Sequence, residues 1–201
     1  ALYVDPTDAI VNAMYAETLL ARGRVSDALH YALEGYRYEP ALDRTNFMVS
    51  LAARYAGNIE LMLKHSRIFA EIRGNTDRYG WTEVGAAYVM QGEIERAAKI
   101  YDSKTDKYIA DWYPQCVRSI ADPALVDGLI PQMQETVRQY QADELTGWHR
   151  WYAPGLIIEC AYWLGEIDLI VDFMNNTETP TEADFFMFFI DDMPALRQTE
   201  Y

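Results

Sequence analysis

From Ile59 to Ile72 the apolar side chains Ile59, Leu61, Met62, Leu63, Ile68, Phe69 and Ile72 fall at helical spacing and make one broad face, with Asn58 placed to cap the helix. The same period returns between Trp148 and Met174, where Ile157, Ile158, Ala161 and Ile170 flank Gly165, so a helical hairpin is expected there with Pro154 fitting its first helix poorly. Between these stretches the pattern blurs beyond about residue 105. Asp122-Pro123 reads as a helix start, Gly128 and Pro131 as a break, and Pro131 to about Ala142 as a second helix. The chain is therefore expected to be all-α.

Glycine and proline recur on a longer period. Gly23, Gly57 and Gly92 stand 34 and 35 residues apart, and Pro6 and Pro40 are separated by 34. A period of this length belongs to repeated helical hairpins, in which a glycine makes the turn between two antiparallel helices and a proline ends the second. A lone hairpin cannot bury both its faces, so each unit needs a neighbour.

The first unit, about Ala9 to Pro40, resembles the tetratricopeptide (TPR) pattern at Tyr15, Ala16, Leu19, Gly23, Ala28 and Pro40, and departs from it at Asn12, where that pattern prefers tryptophan. The third, about Arg78 to Ile109, matches at Trp81, Gly85, Tyr88, Gly92, Ala97 and Tyr101; the middle one, about Asp43 to Gly74, is degenerate, with Val49, Ser50, Ala53, Gly57, Met62 and Phe69. This resemblance implies a right-handed α-α superhelix, a TPR-like solenoid, with regular repeats over 6–109, irregular helices over 110–146, a repeat-like hairpin over 148–176 and capping helices over 181–201, all in a single domain. Pro6, in register as a repeat's terminal proline, leads us to expect a repeat body upstream and hence a longer protein. The closing stretch Asp191-Asp-Met-Pro-Ala-Leu-Arg197-Gln-Thr-Glu-Tyr201 resembles the segment after the TPR arrays of bacterial winged-helix transcriptional regulators and class III adenylate cyclases. Phe185-Phe-Met-Phe-Phe-Ile190, preceded by the weak capping box Thr181-Glu-Ala-Asp184, is too apolar to be exposed and is expected to cap the array.

Charge and cysteine content narrow the function. The net charge is −14, and Asp143 to Tyr201 carries twelve Asp or Glu against Arg150 and Arg197. Such a surface repels phosphate backbones, so no direct nucleic-acid binding is expected of this segment. No apolar run is long enough to span a bilayer, so no membrane insertion is expected. The expected location is cytoplasmic, with the periplasmic portion of a membrane-anchored regulator as the alternative. Cys116 and Cys160 lack metal or C-x-x-C spacing. A disulfide between them stays open, and the apolar setting of Cys160 reads as an inert buried thiol.

No chemistry of its own stands out. His30, His65 and His149 lie in separate helical stretches without H-E-x-x-H or H-x-H, and the chain has no phosphate-binding glycine motif and no G-x-S-x-G. No catalytic residue, metal or cofactor is expected. In TPR arrays the first helix of each pair lines the inner surface, and the resemblance places there Ala13, Glu17 and Leu20, then Arg44, Phe47, Leu51, Arg54 and Tyr55, then Tyr79, Thr82, Ala86, Val89 and Met90. Arginine beside aromatic and methionine side chains suits an extended peptide or amphipathic helix with an acidic group. The expected site is Glu17, Arg44, Phe47, Arg54, Tyr55, Tyr79, Thr82 and Met90, taking a protein or peptide; Phe47 and Tyr55 read equally as packing residues. A small-molecule-sensing domain of a transcriptional regulator is the alternative, and a homo-oligomer through an exposed final repeat face stays open.

Overall fold

A computed structural model describes residues 5–74, 78–103 and 110–176, and the backbone alone for residues 78–82 and 147–152. Among them all regular structure is helical: α1 Ala9–Leu20, α2 Val25–Tyr38, α3 Asp43–Tyr55, α4 Ile59–Ile72, α5 Arg78–Met90, α6 Ile94–Asp102, α7 Tyr113–Ser119, a 3-10 helix Pro123–Gly128, α8 Ile130–Gln141, α9 Gly147–Leu164 and α10 Ile167–Asn175. The proposed capping helices after residue 176 lie outside the described residues. No described helix is long and apolar enough to cross a membrane.

Glycines set where the hairpins turn. Gly23, Gly57, Gly92 and Gly165 all have φ between 68° and 77°, the left-handed region a side chain disfavours. At each, the amide of the following residue bonds the carbonyl five residues back: Arg24 to Leu19, Asn58 to Ala53, Glu93 to Tyr88 and Glu166 to Ala161, all at 2.8–2.9 Å. This is the Schellman closure, which satisfies carbonyls that the helix end leaves without partners. A fifth copy ends α8 with Asp143 in the glycine's place, at φ 58°, and Glu144 N bonding Gln139 O at 2.9 Å.

Asparagines fix how the hairpins begin. Asn12 Nδ2 donates to the carbonyls of Pro6 (2.9 Å) and Asp8 (2.8 Å), and Asn46 Nδ2 donates to those of Pro40 (2.8 Å) and Leu42 (3.0 Å). Asn12, a departure from the TPR pattern in sequence, is therefore a clamp that ties a helix to its incoming turn, and it recurs 34 residues on. Asp8 caps α1 through Val11 N (2.9 Å), and Asn58 caps α4 through Leu61 N (3.1 Å) as expected.

The chain divides into two compact units, Ala1–Glu93 and Ile94–Tyr201. In the first, each of α1 to α4 packs on the next, and α3 also touches α1 and α5. Gly35 of α2 makes the closest approach, since a Cβ there would lie 2.9 Å from the Ala9 carbonyl and 3.5 Å from Thr45 Cγ2. Leu19, Ala28, Met48, Ala53 and Met62 fill this core, and two polar pairs join α3 to α4: Ser50 with Ser66 at 2.6 Å and Asn46 with His65 at 3.0 Å. Because Asn46 Nδ2 is already committed to two carbonyls, its Oδ1 faces His65, so His65 Nδ1 carries the proton and donates. Burial, and then the neighbouring Lys64 charge, pull the imidazole down to about 4.

In the second unit α7 packs on α6, on the 3-10 helix and on α9, while α9 also packs on α8 and α10. Tyr101, Tyr113, Met133, Ile157, Ile158, Ile170 and Phe173 are fully buried there. Tyr113 donates its hydroxyl to the buried Glu159 at 2.6 Å, and Trp112 Nε1 donates to Thr136 Oγ1 at 2.9 Å. Cys116 of α7 and Cys160 of α9 form a disulfide across 44 residues of sequence. That corrects the expected free thiol at Cys160: its helix is indeed buried, but the same burial brings it against α7. Asp122 caps its segment through Ala124 N (3.2 Å), although a 3-10 turn forms where an α-helix was expected, with Gly128 and Pro131 close behind. Pro154 sits inside α9, which continues through it.

Candidate partner-binding face

The side-by-side packing of α1, α3 and α5 gathers several of the expected residues on one face of the first unit. Glu17 of α1 and Arg44 of α3 form an ion pair, with 40% and 38% of their side-chain surfaces exposed. The Arg44 guanidinium also lies 5.8 Å from the centre of the Phe47 ring, and Phe47 in turn leans on Phe69 of α4 at 5.4 Å. Phe47 is half-buried. The ring thus touches both the Phe69 ring and the Arg44 cation.

Arg54 is placed differently. Its Nη1 lies 3.8 Å from Glu83 Oε1 on α5, and the two side chains are only 12% and 13% exposed. This pair links α3 to α5 and is largely withdrawn from a partner. Of the two arginines on the face, Arg44 is the accessible one. Tyr55 is half-buried, and Met90 at the end of α5 is 41% exposed. Tyr79 and Thr82 lie in α5, but their side chains fall outside the described residues.

Three positions assigned inward by repeat register do not line an open surface: Ala13, Leu20 and Ala86 are buried. Register gives the direction a side chain leaves its helix, whereas the crossing of neighbouring helices decides whether solvent remains there. The open part of the face is accordingly a ledge around Glu17, Arg44 and Phe47, with Met90 as a separate exposed apolar position. An arginine stacked on a phenyl ring can exchange an intramolecular carboxylate for a partner's at little cost in geometry, because its fork and its platform are already in place.

A cleft of about 630 Å³ lies between the start of α4 and the end of α5, lined by Asn58, Glu60, Leu61, Leu63, Lys64, Arg67 and Gln91. Among the described residues, none of the expected site residues is in that lining. Arg67 donates to the Tyr88 hydroxyl at 2.6 Å on its wall. Among the described residues, no group of three His, Cys, Asp or Glu is placed to hold a metal ion. No protein family, curated protein or solved structure matches this chain.

Proposed function

We propose that the first unit is a TPR-like helical stack, part of a right-handed superhelix, that holds a protein or peptide along the α1–α3–α5 face. The reading has the chain act as a protein-interaction scaffold without a catalytic residue or cofactor of its own. The observation that carries it is the accessible Arg44, paired with Glu17 and stacked on Phe47. A partner's Asp or Glu displaces Glu17, and the partner's apolar side chains cover Phe47 and Met90. The favoured ligand is therefore an amphipathic or extended segment carrying one acidic group.

Fluorescence anisotropy with acidic amphipathic and extended peptides tests this. Arg44→Ala is expected to weaken binding about tenfold, the scale of a lost charge-assisted pair. Wild-type affinity in that variant, or no binding of any such peptide at about 100 μM, refutes it.

The Cys116–Cys160 disulfide favours the periplasmic alternative over a cytoplasmic location, since such bonds persist in oxidising compartments. The second functional reading, a small-molecule-sensing domain of a bacterial regulator, draws support from the cleft at Lys64, Arg67 and Gln91, whose volume suits a small ligand. Under that reading a metabolite that fills the cleft raises the melting temperature, and Lys64→Ala abolishes the rise.

A further inference from the structure

The first two hairpins bury opposite amounts of the same helical face. With a shift of 34 residues, Val11, Met14, Tyr15 and Thr18 of α1 correspond to Thr45, Met48, Val49 and Ala52 of α3. The four α3 residues are fully buried, because that face receives the preceding hairpin α1–α2. Their α1 counterparts are open or half-open, and the contrast is sharpest for an identical residue: Met48 is 0% exposed and Met14 57%. Ile10, 50% exposed, lies outside this matched set, since its counterpart is the half-exposed Arg44.

Nothing in the composition of α1 suits it to water. In the whole helix Glu17 is the one charged residue, and it borders this face at Met14 while pairing with Arg44, although the protein as a whole carries −14. A helix this apolar buries more than one narrow stripe. Its entry matches too: Asp5-Pro6 stands where Glu39-Pro40 stands, and the Pro6 carbonyl takes the Asn12 amide as the Pro40 carbonyl takes that of Asn46. In the second case the segment leading into the proline is α2, which packs on the α3 face.

We infer that the Val11–Met14–Tyr15–Thr18 face of α1 is the seat of one further helical hairpin, supplied by the polypeptide that leads into Pro6 and packed on α1 as α1–α2 is packed on α3. Continuity with the α2–α3 interface selects this occupant. A hairpin that enters through Pro6 is delivered to the face by the same clamp that delivers α2 to Met48. Val11, Tyr15 and Thr18 lie to one side of Glu17 on the helix, away from its pair with Arg44, so the inference does not depend on the proposed partner.

Thiol labelling of cysteine variants tests it. Met14→Cys and Thr18→Cys, with Arg22→Cys on the exposed turn as reference, are made in the intact gene product and in the 201-residue chain, where the native cysteines are tied up in the disulfide. In the intact product, positions 14 and 18 are expected to react with maleimide at least about tenfold more slowly than position 22. In the 201-residue chain all three are expected to react at similar rates, in keeping with the locally opened states that control protection. Equal rates at 14 and 22 in the intact product overturn the inference, as does protection of 14 without 18. Protection in the 201-residue chain that grows with protein concentration assigns the face to a second copy and overturns it as well.

Discussion

Acidification should weaken the first unit through His65, and the size of the effect follows from where its proton sits. The imidazole is 1% exposed, its Nδ1–H is spent on Asn46 Oδ1 at 3.0 Å, and the Tyr36 ring stands edge-on to it at 4.6 Å between centres. A second proton must go on Nε2 and leave a buried cation beside Lys64, which is why the folded value falls to about 4 against about 6.5 for the unfolded chain. Between those values the unfolded chain binds more protons, so stability rises with pH. The contribution is complete above about 6.5, declines as the pH falls from 6.5 to 4, and is lost below. That difference corresponds to about 3 kcal/mol, most of which is gone by pH 4.5. Carboxylates titrate in the same range, so the informative quantity is the difference in unfolding free energy between the native chain and His65→Gln. Guanidinium unfolding at pH 7.5, 6.5, 5.5 and 4.5, read by amide exchange in α3 and α4, isolates it. The native advantage at pH 7.5 should shrink by about 2–3 kcal/mol at pH 4.5. A difference that stays constant within about 0.5 kcal/mol over that range refutes the buried neutral imidazole.

Other perturbations probe the turns and the links. Gly35→Ala places a methyl 2.9 Å from the Ala9 carbonyl and forces α1 from α2, so denaturation of the first unit should show a loss of about 1–3 kcal/mol. Asp143→Gly relieves a side chain held at φ 58° and should raise the stability of the second unit by about 0.5–1 kcal/mol in urea unfolding. Replacing Cys116 and Cys160 by serine frees a loop spanning 44 residues. Chain entropy puts that loss at about 4 kcal/mol, and calorimetry should register it in the second unit and leave the first unchanged.

The hairpin turns were legible because only glycine takes the left-handed region freely, so Gly23, Gly57, Gly92 and Gly165 announce themselves. Asp143 performs the same turn without announcing it, since an aspartate in sequence reads equally as a cap or a surface charge. Asn12 and Asn46 were hidden for another reason: the signal is a proline followed six residues later by asparagine, repeated at 34, and it looks like noise when the expected residue is aromatic. The disulfide joins residues brought together only by the packing of α7 on α9, which no local spacing encodes. For the expected inner face, register gives only the direction in which a side chain leaves its helix. It failed at Ala13, Leu20 and Ala86, where close helix crossings leave no room for solvent.

The paired proline and asparagine clamps make the segment from Pro6 to Glu39 an interchangeable cassette. Both its ends fall on the same acidic-proline junction, Asp5-Pro6 and Glu39-Pro40, and each asparagine reaches back only to the turn directly before it. Gene duplication or engineered insertion in multiples of that length therefore leaves every junction bond intact. An insertion of a few residues between Pro40 and Asn46 separates donor from acceptor and disconnects α3 from its entry. Growth of such a chain is quantised: it lengthens by whole hairpins or it loses its register.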